Sequence, residues 1–316
     1  MPVGGPSPGS GVVVDTSEAA LGSTAQRVLR ATAATVTLEW TDQEGDLADA
    51  DGEVTADLYR WDGTVVRTAS AMTKPDETTG IYTLDLTPAE TAVLDELTLI
   101  GTDTAGVAKA VRVEIVGGYW FSTTRARNSD KTLLDTTKYP TADIVATRQE
   151  VEDEAERIIG ASFVPRFKVV RLHGQGSNEL NLPSWHVRRI RGVLVDGTAL
   201  SESIVEALAL QTRTLIGSGY WFPLGTANVV VAYEHGWDEP PADLRDAAIL
   251  RLRTRLNKPR SGVPETALTF SAAEGGTYGL AVAGRSGWRT GVPDVDSVYL
   301  EYAARYQSDL VSVPLR

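Results

Sequence analysis

The sequence predicts an α+β chain of more than one domain. A small antiparallel β-sandwich comes first, followed by a unit of about three helices with an antiparallel β-region inserted between them. Three observations carry this reading. Residues 25–117 alternate apolar and polar side chains in short runs broken by glycine-bearing turns, and a period of two sets one face of a strand on a core and the other in water. Residues 140–316 hold stretches with helical signals at about 141–159, 241–257 and 294–307. Charge also breaks near Gly117-Gly118: residues 1–117 carry 19 acidic and 7 basic side chains, whereas residues 118–316 carry 23 of each. A length of 316 residues suffices for two or three domains of ordinary size.

Residues 1–24 are rich in Pro, Gly and Ser. Such a segment buries too little apolar surface to offset its ordering entropy, and it reads as a flexible arm or as an arm that orders on a neighbouring subunit. From 25 to 117 the clearest strands are Thr35–Trp40, Val54–Trp61, Ile81–Leu86 and Val111–Ile115. Asp51-Gly52, Asp62-Gly63, Thr79-Gly80 and Ala105-Gly106 punctuate them. Short strands at this spacing suggest an immunoglobulin-like (Ig-like) sandwich, without the Cys…Trp…Cys framework of antibody domains. Residues 118–139 are polar and irregular, as a linker or interface loop would be.

The helix over 141–159 places Ile144, Val151, Ala155, Ile158 and Ile159 on one face, and Gly160 follows as its stop. Its outer face is expected to carry Glu150, Glu152, Asp153, Glu154 and Glu156. The β-region spans 163–236, with strands at Val169–Leu172, Asn178–Leu182, Val187–Val195 and Asn228–Tyr233. Asp196-Gly197 supplies its hairpin signal. The helix over 241–257 starts with Pro241, where no backbone donor is lost, and stops before Pro259. Residues 261–292 contain seven glycines and read as a long loop, a feature that is either functional or disordered. In the final helix, 294–307, Val295, Val298, Tyr299, Tyr302 and Tyr306 form one stripe, open to a core or an interface role.

Composition and motifs argue against catalysis. Cysteine is absent, so no disulfide, thiolate metal site or cysteine nucleophile is available. The three histidines, His173, His186 and His235, lack ligand-like spacing. Asp49-Ala50-Asp51-Gly52-Glu53 lacks the later ligands of a calcium loop. Gly174-Gln175-Gly176 opens no helix and reads as a tight turn. Asp294 and Asp296 sit where a helix cap and a first-turn carboxylate belong. No nucleophile elbow, zinc-protease helix or phosphate loop is present. The expectation is therefore no enzyme, no metal and no cofactor. The opening Met1-Pro2-Val3-Gly4-Gly5-Pro6 shows neither a basic nor an apolar signal region, so no secretory signal is expected, and no apolar run reaches the roughly 20 residues needed to span a bilayer. The acidic first part argues against tight nucleic-acid binding.

Two basic groups stand out: Arg188, Arg189 and Arg191 in one strand, and Arg251, Arg253 and Arg255 in one helix. They could meet DNA phosphates or a partner's acidic surface, form a solvated face, or pair with the acidic helix 148–156 of a neighbouring copy. The last option is the one expected here, with Glu150, Asp153 and Glu154 of one subunit facing Arg251 and Arg255 of the next.

Tyr233-Glu234-His235-Gly236-Trp237, then Pro240-Pro241, then Asp243-Leu244-Arg245-Asp246-Ala247-Ala248 form an ordered junction. The strand signals Leu180-Asn181-Leu182-Pro183 and Val193-Leu194-Val195-Asp196-Gly197 precede it, and Gly291-Val292-Pro293-Asp294-Val295-Asp296 runs into the tyrosine helix. In this order the pieces resemble the head-to-tail adaptor (connector) proteins of long-tailed double-stranded DNA phages, over roughly residues 140–316. The Ig-like domain resembles those that many phage structural proteins carry. The resemblance implies a homo-oligomeric ring, usually a dodecamer, docked under the portal protein. It extends the channel for genomic DNA, which passes without sequence-specific binding, and supports stopper or tail-completion proteins. It implies manufacture in the host cytoplasm, residence in the virion neck and no membrane. It also implies that the C-terminal end grips the portal, which points to Tyr299, Tyr302, Tyr306, Leu310, Val311, Val313 and Leu315. The competing reading is an extracellular carbohydrate-binding or adhesion module of two β-domains that uses exposed Trp side chains.

Overall fold

The computed structural model describes residues 25–75, 78–257, 269–271, 277–279 and 289–307; the 1–24 arm lies outside these. The chain is α+β, and it divides into two compact units between Val116 and Gly117, with Phe167–Val169 grouped with the first.

The first unit contains β1 (Gln26–Leu29), β2 (Ala34–Glu39), β3 (Thr55–Tyr59), β4 (Val65–Ala71), β5 (Ile81–Leu86), β6 (Asp95–Thr102) and β7 (Ala108–Val116). One sheet has the order β1-β7-β6-β3-β4, and β2 pairs with β5 in the other. β1 runs parallel to β7, with Val28 opposite Ile115. This two-sheet order is that of an Ig-like sandwich. Alternation explains its core: Val36 and Leu38, Tyr82 and Leu84, Leu97 and Leu99, and Val113 and Ile115 all point inward. β1, β4 and β6 join the strands expected from sequence. Inward-facing Asp95 begins β6 and is 1% exposed. Burial pushes its carboxyl up, opposed by Arg60, whose Nη1 lies 2.5 Å from Oδ2.

The second unit opens with α1 (Thr123–Ser129), a 3-10 turn (Lys131–Leu134) and α2 (Thr141–Ile159). Next come β8 (Arg166–Gly174), β9 (Glu179–Asn181), β10 (Val187–Val195), β11 (Thr198–Ala199), α3 (Glu202–Ala207), β12 (Ala209–Gln211), β13 (Thr214–Ile216) and β14 (Gly225–His235). It closes with α4 (Ala242–Asn257), β15 (Thr269–Ser271), β16 (Thr277–Gly279) and α5 (Pro293–Gln307). The sheets are β11-β10-β14-β8, β12-β13-β9 and the hairpin β15-β16. That hairpin corrects the reading of 261–292 as an unbroken loop. α2, α4 and α5 pack around one core built on Ile144, Val151, Leu244, Leu252, Val295 and Tyr299. The β-region has its own core, built on Leu180, Leu182, Val193, Phe222, Val231 and Tyr233.

α2 ends at Gly160, whose φ of 82° turns the chain while its N–H reaches Glu156 O at 2.8 Å. Two readings need correction. Residues 118–139 are not an open linker, because Trp120, Phe121, Ala126, Leu133 and Tyr139 lie in the helical core. Nor is Glu152 on the outer face of α2. It is 1% exposed and accepts the Trp120 backbone N–H at 2.9 Å. One turn earlier, buried Arg148 donates to Phe121 O at 3.2 Å and lies over the Tyr119 ring at 3.6 Å. A buried charge needs such partners, and here they clamp 119–121 to α2. Asp296 does similar work. Its carboxylate accepts the backbone N–H groups of Arg289 and Thr290 at 3.1 and 2.8 Å, fixing the approach to α5. Asp294 lies within the first helical turn rather than before it.

Candidate functional site

The end of β14 organises the second unit. Gly236 has φ 95°, and a Cβ there would lie 2.1 Å from Val164 O; only glycine fits. Its N–H donates to His186 O at 3.1 Å. The turn carries Trp237 between two rings: His186 at 4.9 Å and 11°, and Phe163 at 5.2 Å and 21°. Tyr306, from the last turn of α5, meets Trp237 at 5.2 Å, Trp185 at 5.7 Å and Phe163 at 5.9 Å. The Trp185 Nε1–H donates to Tyr306 O at 2.9 Å. One turn back, the Tyr302 hydroxyl donates to Asp243 in α4. Beneath, the hydroxyls of Ser184 and Tyr233 share a buried bond of 2.8 Å, and burial pushes the Tyr233 phenol up to about 12. An aromatic clasp thus joins β10, β14, α4 and α5.

The basic helix pairs within its own chain. Arg251 makes a fork with Glu154, Nε to Oε2 at 2.7 Å and Nη2 to Oε1 at 2.9 Å. Arg255 reaches Glu150 at 2.6 Å and Glu154 at 3.2 Å, and Arg253 reaches Asp130 at 2.8 Å. Burial pushes the Glu154 carboxyl up, but the Arg251 hydrogen bond and charge, with Arg255, outweigh it and hold Glu154 below the usual carboxylate range. Pairs expected between subunits are therefore made between α2 and α4 of one chain, because packing these helices around one core brings their polar edges together. Asp153 is half-buried on α2. Arg188 pairs with Asp238 at 2.7 Å and Arg191 with Glu234 at 2.7 Å, whereas Arg189 is exposed.

The tyrosine stripe belongs to the core. Tyr299 is 0% exposed and Tyr302 6%, and Tyr306 is half-buried against the clasp. This corrects the expectation that Tyr299 and Tyr302 form a portal contact: α5 spends that face on α2 and α4. Leu310, Val311, Val313 and Leu315 lie outside the described residues.

No protein-family model matches the chain, and no curated protein matches it. Solved structures do. The chain is similar to one in the neck of an empty gene-transfer-agent particle, computed with C6 symmetry. Identity there is 15%, over 39% of this chain and 70% of that one, with a TM-score of 0.32. It is also similar to a chain of the ZIG-8–RIG-5 IG1–IG1 heterodimer, at 16% identity over 30% of this chain and 84% of that one, with a TM-score of 0.21.

Among the described residues, no three His, Asp or Glu side chains gather to hold a metal, and no helix is long and apolar enough to cross a membrane. A shallow pocket of about 360 Å³ opens beside the clasp, lined by Trp185, His186, Val187, Leu210, Thr212 and Trp237. The sequence marks the stretch ending in Gly236-Trp237 but not the partners of Trp237. The available signal was an aromatic residue directly after a strand-ending glycine, echoed by Trp185-His186 before β10.

Proposed function

We propose that this chain is a head-to-tail adaptor of a long-tailed double-stranded DNA phage. It is made in the host cytoplasm and resides in the virion neck. Its copies form a ring, a dodecamer by family habit, under the portal. Genomic DNA passes through the channel, and a stopper or tail-completion protein attaches to the ring. Its work is binding rather than catalysis. The single supporting observation is convergence. The three separated sequence pieces that resemble the adaptor family meet in one packed body, through Trp237 with Tyr306, Asp243 with Tyr302, and Leu180 and Val193 in the core beneath Tyr233. In this reading the segment 308–316, with Leu310, Val311, Val313 and Leu315, supplies the portal contact, because the tyrosines are committed to the core.

Negative-stain imaging of the purified protein, alone and with portal, tests this. Rings or ring-capped portals are expected. Single particles under both conditions, at concentrations where portal is intact, overturn it. An adhesion module would need a platform of exposed aromatic rings. Trp221 is the one exposed tryptophan among the described residues, so binding to a glycan panel is not expected.

A further inference from the structure

Trp221 and Leu224 are 66% and 82% exposed, yet the loop that carries them is tightly held. Phe222 between them is fully buried, and its N–H donates to Ser177 O at 2.8 Å. The Gly217 N–H donates to Asn178 O at 2.7 Å, and Asn228 Nδ2 donates to Pro223 O at 3.2 Å. A Cβ on Gly174 would lie 1.8 Å from Pro223 O. Two large apolar side chains are thus held outward by a rigid anchor. Such preorganised tryptophans carry interfaces, because little ordering entropy remains to be lost.

The register places this knob at one end of the sheet β12-β13-β9. Ile216 pairs with Ala209 and Glu179 at that end, whereas Thr214 pairs with Gln211 and Asn181 at the other. The loop leaves β13 beyond Ile216. Beyond Gln211 lies the hairpin whose Thr212 lines the pocket with Trp185, His186 and Trp237. The Thr212 φ of 57° belongs to the two-residue turn that joins β12 to β13 and sets Thr212 at the pocket rim. The ends also differ in charge. Exposed Glu179 flanks the knob, and the Arg213 guanidinium sits 4.7 Å over Trp185 at the pocket.

We infer that the Trp221–Leu224 loop of one copy seats in the Trp185–His186–Trp237 pocket of the next, with Glu179 facing Arg213. A knob at one end and a pocket at the other make a heterologous contact, the type whose rotation closes a ring. This rests on the ring reading above and names its contact.

The chain has no cysteine, so Leu224→Cys and Thr212→Cys proteins each carry one thiol. Mixing them and oxidising should give a covalent heterodimer; homodimers alone, or no dimer, overturn the proposal. Trp221→Ala should raise the protein concentration at half-assembly by about tenfold or more, with thermal melting unchanged. Arg213→Glu should weaken assembly, and adding Glu179→Arg to the same chain should restore it. Wild-type rings matched by equal assembly of Trp221→Ala place the contact elsewhere and leave the ring reading standing. Wild-type protein without rings, alone or with portal, removes both.

Discussion

The Tyr302 hydroxyl donates to both oxygens of the Asp243 carboxylate, at 3.0 and 3.1 Å, fastening α5 to the first turn of α4. Bonds to charged groups contribute about 1.5–3 kcal/mol, so Tyr302→Phe should lose about that much in denaturant unfolding. Burial, then the Asp243 hydrogen bond and charge, push the phenol up to about 12, against about 10 when unfolded. The native state therefore holds this proton more tightly. The contribution is whole below pH 10 and is lost as pH rises through about 12. Melting temperature should fall over that window, and less steeply in Tyr302→Phe; an identical slope in both proteins would count against the bond.

Arg251 and Arg255 should separate cleanly. The Arg251–Glu154 fork is 9% and 15% exposed at its side chains, whereas Glu150, a partner of Arg255, is 59% exposed. Arg251→Ala should cost about 2–3 kcal/mol with little salt dependence. Arg255→Ala should cost about 0.2–1 kcal/mol and respond to salt. The Glu154 carboxyl is held below its usual range, so its contribution is present above the unfolded carboxylate pKa and lost as pH falls through the depressed one. Urea melts in low and high salt check both claims.

Gly236 and Gly197 both have positive φ, but a Cβ on Gly197 meets open space. Gly197→Ala should cost the left-handed penalty alone, about 1–2 kcal/mol. Gly236→Ala adds a clash with Val164 O, roughly 1–3 kcal/mol further. Equal melting temperatures for the two variants would mean that β14 does not end as described.

Deleting residues 308–316 should leave helical circular dichroism unchanged while abolishing co-purification with portal. Undiminished portal binding by the truncated protein would move that contact to another surface.

Regular periodicity was the legible part of this chain. The i, i+7, i+11 and i+15 positions of α2, from Ile144 to Ile159, face the core as the pattern requires, and the alternation of β2, β5 and β7 marks their inner faces. What escaped was burial decided by distant partners. Glu152 reads as an outward charge until the Trp120 N–H is brought to it. Residues 118–139 read as linker because α1 and the 3-10 turn are too short to show a period, so their core residues Trp120, Leu133 and Tyr139 stand isolated among polar neighbours. Likewise the α2–α4 ion pairs showed complementary charge in sequence but not that one chain makes them. The clasp around Trp237 depends on Phe163, His186 and Tyr306, which no local pattern links.

The bond from Trp185 to the Tyr306 carbonyl has a mechanical meaning. The last carbonyls of a helix lack intrahelical donors, and final turns fray readily. Here an indole N–H anchors one of them, and three rings grip the side chain of the same residue. Tension applied to the chain beyond residue 307 is therefore passed at Tyr306 into Trp185 and Trp237, at the ends of the β10–β14 pair, instead of peeling α5 open turn by turn.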